Sequence, residues 1–168
     1  MRTSSTSSSS LSLPRHGAAR VVRRYTVLGI ATGAIPVPAV SLALVAENAS
    51  MINEIAGCYG VPISPATVVG SMGMMTAVNQ VGRAVFVEAA RAMGWFTGPL
   101  GVPGIVVLGA ATAGLQTYIL GHLAIAIAEN GGEVLEKFQA RSVIAAAKVS
   151  YDDIDWDVER ERAEAATA

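Results

Sequence analysis

A run of 25 residues without a formal charge, residues 104–128, constrains this 168-residue chain more than any other feature. As a helix the run would be about 37 Å long, and about 20 apolar residues suffice to cross a bilayer core. A chain of this length has little protein with which to cover such a helix on every side. We therefore expect a lipid-embedded helix; the alternative is the core helix of a soluble bundle.

Small residues recur along this run at spacings of three and four. They are Gly109, Ala110, Ala113, Gly114, Thr117 and Gly121. Small side chains at such spacings let two helices approach closely in lipid. We predict that Gly114, Thr117 and Gly121 are helix-packing positions.

A second uncharged run, residues 25–46, lies between Arg24 and Glu47 and contains Pro36 and Pro38 near its middle. Each proline lacks an amide donor and disfavours helix in the preceding residue. The Pro-x-Pro pair therefore predicts two helices, over about 25–34 and 39–58. The first is too short to cross a bilayer, so we expect a kinked or re-entrant entry.

Helical patterns continue to the end of the chain. Ser64 and Pro65 are typical of an N-cap and first helical residue, and predict a helix over about 66–83. Amphipathic patterns predict helices over 85–93, over 133–149 and after residue 155. The expected fold class is all-α, made of membrane-associated helical hairpins with Gly/Ala-packed helices and a Pro-x-Pro break.

Charge is unevenly distributed behind a net charge of -1. Residues 1–46 carry +5, residues 47–128 carry -1 and residues 129–168 carry -5. Arg15, Arg20, Arg23 and Arg24 precede the first uncharged run, which predicts a membrane-proximal basic segment and a cytoplasmic N-terminus. We expect the bacterial inner membrane. Arginines without interleaved aromatic residues are a poor signal for nucleic acid, so we expect none as partner.

The composition divides the chain into three parts. Residues 1–24 are rich in serine and arginine and predict a disordered tail. Residues 25–149 form the expected helical membrane-associated domain. Residues 150–168 form an acidic C-terminal tail, helical after residue 155.

Signatures of catalysis are missing from the sequence. It contains neither the phosphate-binding pattern Gly-x-x-x-x-Gly-Lys-Ser/Thr nor the nucleophile pattern Gly-x-Ser-x-Gly. The spacing of Asp153, Asp155 and Asp157 resembles a calcium loop, but Val158 stands where such a loop needs glycine. We therefore predict no enzyme activity, no catalytic residue, no metal site and no cofactor.

Two segments, residues 34–39 and 51–61, together resemble the YcjF-like family of GTPase-associated membrane proteins of unknown function. The matching positions are Ile35, Pro36, Pro38, Met51, Ile52, Ile55, Ala56, Tyr59 and Gly60. Residues 111–121 are similar to the second signature of the family, and the match covers about residues 27–140. The chain departs from the family at Ser41, in a neighbourhood where the family carries an acid. The resemblance implies an all-helical membrane domain that partners a small GTPase and has no known activity of its own.

Two functions fit these observations. The first is a non-enzymatic membrane adaptor or anchor, with the lipid bilayer and a protein such as a small GTPase as partners and a homo-oligomer as a possible form. The second is an oligomeric transport or pore-forming element. A path through such an element would have few polar residues to line it: Asn79, Gln80, Gln116 and His122.

Overall fold

The structure is a computed structural model that describes residues 12–35, 40–72 and 101–165. The described residues form six α-helices and no strand, which confirms the all-α fold class. The helices are α1 (Ser12–Gly33), α2 (Val40–Tyr59), α3 (Pro65–Met72), α4 (Gly101–Glu129), α5 (Lys137–Asp152) and α6 (Trp156–Ala165).

The first uncharged run is divided as the prolines predict. Helix α1 ends at Gly33 and α2 begins at Val40, so the prediction of two helices is confirmed. Pro36 and Pro38 themselves lie outside the described residues. The expected helix after Ser64 is confirmed as far as Met72, whereas the rest of it and the helix expected over 85–93 lie outside the described residues.

Helix α1 begins at Ser12, which corrects the expected N-terminal tail. The prediction of disorder up to residue 24 is wrong for residues 12–24; residues 1–11 are outside the described part. Arginine and alanine are good helix formers, and Ala18 and Val22 are fully buried in the core. Tertiary packing therefore stabilises a helix that the Ser/Arg-rich composition does not predict.

Helix α4 is the centre of the bundle and contacts α1, α2, α3 and α5. Leu123, Ala124 and Ile127 in its second half are fully buried, whereas Ala111 and Thr112 in its first half are exposed. Our expectation that protein cannot cover this helix is thus wrong for its second half. The added length of α1, which starts well before residue 25, supplies much of the cover.

Glycines bring α1 and α4 into close contact. A Cβ atom placed on Gly109 would lie 2.6 Å from the backbone oxygen of Gly33. One on Gly29 would lie 2.8 Å from Thr117 Oγ1, and one on Gly121 would lie 2.6 Å from Val22 Cγ2. Gly29 and Gly33 are four residues apart, the spacing typical of helix pairs that pack backbone to backbone.

The helix ends follow ordinary capping chemistry. The Thr67 amide donates to Ser64 Oγ at 3.1 Å, which makes Ser64 the N-cap of α3. Helix α4 ends at Glu129 and is followed by Gly131 and Gly132, whose positive φ angles of 73° and 87° suit glycine. The chain can therefore reverse direction there, and α5 returns along α4.

The contact between α1 and α4 can be tested at Gly109. We expect Gly109→Ala to destabilise the protein by about 1–3 kcal/mol, because the added methyl group meets rigid backbone. The matched control is Gly57→Ala in α2, where an added Cβ meets nothing within 4 Å. That change should stabilise the helix by up to about 1 kcal/mol. The measurement is the denaturant midpoint of each variant, and equal effects of the two changes would contradict the close contact.

Candidate functional site

From Arg20 onward, the outer face of α1 changes from charged to apolar. Its exposed residues there are Arg20, Arg24, Leu28 and Ala31, and Ile35 is exposed just beyond the end of the helix; Leu13, near the start of α1, is exposed as well. The residues from Arg20 to Ala31 recur every three or four residues, so they lie on one face of the helix. The change falls between Arg24 and Leu28.

Helix α2 shows the same change in reverse, because it runs antiparallel to α1. Thr32 Oγ1 donates to Glu47 Oε1 at 2.8 Å, and Arg24 forms an ion pair with Glu54. Ala43 and Val45 are exposed near the start of α2. We call the surface formed by Leu28, Ala31, Ile35, Ala43 and Val45 the apolar end.

Glu47 is the one charged residue among residues 25–53, and it is turned inward. One of its carboxylate oxygens accepts the hydrogen bond from Thr32. The other oxygen, Oε2, is buried, as is Asn48 Oδ1, and neither has a hydrogen-bond partner. The outer surface of the apolar end therefore carries no charge from this residue.

Arginines and acids from several helices meet at the opposite end of α1, which we call the charged end: Arg15, Arg20, Arg23, Arg24, Glu54, Glu129 and Glu159. Arg15 Nε lies 3.5 Å from Glu129 Oε1, and Arg23 Nη1 lies 3.1 Å from Glu159 Oε1. Arg20 forms no ion pair with a described residue. Exposed pairs of this kind contribute about 0–1 kcal/mol each. Their main effect is that acids of the same chain neutralise most of the predicted basic segment.

Tyr59 joins the charged end by donating its hydroxyl proton to Glu129 Oε1 at 3.1 Å. Burial first, and then the neighbouring Glu129 carboxylate, raise the pKa of Tyr59 well above its usual value of 10.0. Arg15, on the same carboxylate, acts in the opposite direction and lowers the pKa. Tyr59 thus ties the end of α2 to the end of α4 as a neutral donor.

An aromatic cluster holds the last helix against the bundle. The ring of Trp156 lies 4.7 Å from that of Tyr151 and 5.6 Å from that of Tyr118, and His122 packs on Tyr118 at 4.5 Å. Trp156 Nε1 also donates to the Tyr151 carbonyl oxygen at 3.1 Å. The members of this cluster come from three helices, so no local spacing in the sequence predicts it.

The positions that match the YcjF-like family are spread over the molecule. Met51 and Ile52 are buried in the core, Tyr59 is half-buried, and Gly60 turns the chain with a φ of 65°. Ile35 is exposed at the apolar end. These residues therefore do not form one site.

The predicted packing positions of α4 all lie on the face that contacts α1. Thr117 is buried beside Gly29, and Gly121 lies against Val22. Gly114 lies against Ile30 of α1 and also near the Tyr151 hydroxyl of α5.

Metal-ligand geometry is not found in the described ranges, where no three His, Cys, Asp or Glu residues are grouped to hold an ion. Asp155, in the calcium-like spacing, instead caps α6. Its Oδ1 accepts from the Asp157 amide at 3.1 Å and from the Val158 amide at 3.3 Å.

Residues Gly109–Glu129 of α4 are long and apolar enough to cross a membrane, by length and composition. In the described part of the chain no other helix meets this criterion. Within the fold, 56% of an 18-residue window of this segment is buried by protein, and the core helix of a soluble protein would meet the criterion as well.

The chain is similar to a known membrane protein. It is 28% identical over 124 residues to magnetosome membrane protein 22 of Magnetospirillum gryphiswaldense, an alignment that covers 70% of this chain and 60% of the relative. The chain thus spans less than two thirds of that relative. No protein-family model and no solved structure matches the chain. The resemblance to the YcjF-like family stays a prediction.

The raised pKa of Tyr59 predicts a pH dependence of stability. Since the folded pKa lies above the unfolded value of 10.0, the contribution of Tyr59 is fully present below pH 10 and is lost as pH rises through the folded pKa. We expect Tyr59→Phe to remove this loss and Glu129→Gln to lower the pKa of Tyr59. The control is Glu133→Gln, which removes an exposed acid nearby. The measurement is tyrosinate absorbance against pH, in which the difference between the protein and its Tyr59→Phe variant reports Tyr59; an ordinary titration in that difference would contradict the contact.

Proposed function

We propose that this chain is a non-enzymatic helical module that inserts its apolar end into one leaflet of a bilayer. Its charged end stays in water and serves as an anchor or adaptor surface for a protein partner. The observation that carries this proposal is the order of exposed residues along α1, from Arg20 and Arg24 to Leu28 and Ala31, with Ile35 exposed just beyond the helix.

The length of the apolar end supports insertion into a single leaflet. Residues 25–33 of α1 rise about 13 Å at 1.5 Å per residue. The hydrocarbon core of a bilayer is about 30 Å thick, so one leaflet accounts for about 15 Å. The second half of α4 is enclosed by protein, which also favours insertion of one end over a crossing by that helix.

The free energy of membrane binding needs contributions from both apolar and basic side chains. Leu28, Ile35 and Val45 are 44%, 53% and 66% exposed, and burying them in lipid would contribute about 1 kcal/mol each. Each arginine close to an anionic surface adds about 1 kcal/mol. Together these terms give the reversible binding typical of a protein that lies on a membrane.

The partner and location belong to the same proposal. The resemblance to the YcjF-like family supports a small GTPase as the partner at the charged end. Similarity to a magnetosome membrane protein supports residence in a bacterial membrane. The arginines of α1 favour the cytoplasmic side of an inner membrane, and the glycine-rich helices allow a homo-oligomer. If the protein is isolated from native membranes and no GTPase is found bound to it, the proposal of a GTPase partner is wrong.

Insertion can be tested with two equally exposed valines. Val45 at the apolar end is 66% exposed and Val149 on α5 is 67% exposed. In a Cys58→Ser background, a fluorescent label on Val45→Cys should be quenched by lipid-borne quenchers in proteoliposomes. The same label on Val149→Cys should be quenched by water-borne quenchers.

Equal aqueous quenching at both positions would contradict the insertion. The same proteoliposomes, loaded with a soluble dye, address the alternative function. Dye release in proportion to the amount of protein would favour the pore-forming element over the adaptor.

A further inference from the structure

Helix α6 brings the acidic end of the chain onto the basic helix. Residues 1–152 carry a net charge of +3 and residues 153–168 carry -4. Glu159 of α6 accepts from Arg23 Nη1 at 3.1 Å across 136 residues of sequence. The charge asymmetry of the sequence is therefore partly neutralised by an internal contact.

Among the described contacts of α6 with the rest of the bundle, those of Trp156 and Glu159 involve the core and α1, and Glu159 also accepts from Arg162 of α6 at 3.0 Å. Trp156 packs on Tyr118 and Tyr151, and Glu159 pairs with Arg23. A helix of ten residues is marginal on its own in water, and α6 exposes most of its other side chains. Release of α6 thus requires the loss of the Trp156 packing and of the Arg23–Glu159 ion pair.

Arg23 lies where the apolar end meets the charged end. It directly precedes Arg24, after which the outer face of α1 becomes apolar. Arg20 is exposed one turn earlier and has no ion pair with a described residue. If the apolar end enters a leaflet, these two guanidinium groups lie at the depth of the lipid headgroups. Arginine binds phosphate through paired, charge-assisted hydrogen bonds.

We propose that Arg20 and Arg23 form a binding surface for anionic lipid headgroups, and that α6 occupies this surface as an internal competitor. The Glu159 carboxylate takes the place at Arg23 that a lipid phosphate would take. An anionic membrane displaces α6, both by competing for Arg23 and by repelling the acids of α6. A neutral membrane leaves α6 bound. This inference rests on the insertion of the apolar end proposed above.

The test is hydrogen exchange of the full chain bound to vesicles of two compositions. On phosphatidylcholine vesicles, the backbone amides of residues 157–165 should stay protected. On vesicles that contain phosphatidylglycerol they should exchange faster, and high salt should restore the protection. Unchanged protection on both kinds of vesicle would overturn the inference.

Two variants with the same change of charge separate the specific contact from net charge. Glu159→Gln removes the partner of Arg23, whereas Glu161→Gln removes an exposed acid of α6. We expect Glu159→Gln to lower the phosphatidylglycerol fraction needed for release about two- to fivefold and Glu161→Gln to have a smaller effect. Equal effects would overturn the competition at Arg23.

Vesicle flotation distinguishes this inference from the proposed function. If the protein floats with both kinds of vesicle while α6 stays protected on both, the competition is wrong and the insertion stands. If it floats with neither, both proposals are wrong.

Discussion

The close contact between α1 and α4 determines how the rest of this structure is arranged. Where Gly33 meets Gly109, the backbones touch without an intervening side chain. This contact fixes the antiparallel register, which places Val22 against Gly121 and Arg15 beside Glu129. Because α1 lies so close, the second half of α4 can be buried by a chain of only 168 residues.

That register also separates the two ends of the bundle. The uncharged part of α1 lies beside the first half of α4, while its arginines lie beside acids of α2, α4 and α6. One end thus exposes apolar side chains without charge, and the other exposes paired charges together with Leu13 and Val134. Under the proposed function, the apolar end would lie in the hydrocarbon of a bilayer surface and the charged end in water.

Much of the fold could be predicted from local sequence patterns. Proline chemistry at Pro36 and Pro38 predicted two helices where a simple hydropathy reading would give one. The N-cap at Ser64 could also be predicted, because capping is a local interaction between neighbouring residues.

What could not be predicted depends on contacts between distant segments. The helix at residues 12–24 is stabilised by burial of Ala18 and Val22, which composition does not reveal. The pair of Arg23 and Glu159 and the packing of Trp156 on Tyr118 join residues far apart in sequence, and no periodic pattern connects them. The burial of α4 by protein could not be predicted, because residues 12–24 have the composition of a disordered tail.

The central claim, that the bundle enters a membrane by one end, is tested most directly by an accessibility profile along α1. Spin labels placed singly on the outer face, at positions 20, 24, 28, 31 and 35, would be measured in proteoliposomes with a water-soluble and a lipid-soluble relaxation agent. The account predicts that access from water falls and access from lipid rises between positions 24 and 28. Equal access from water at all five positions would contradict it.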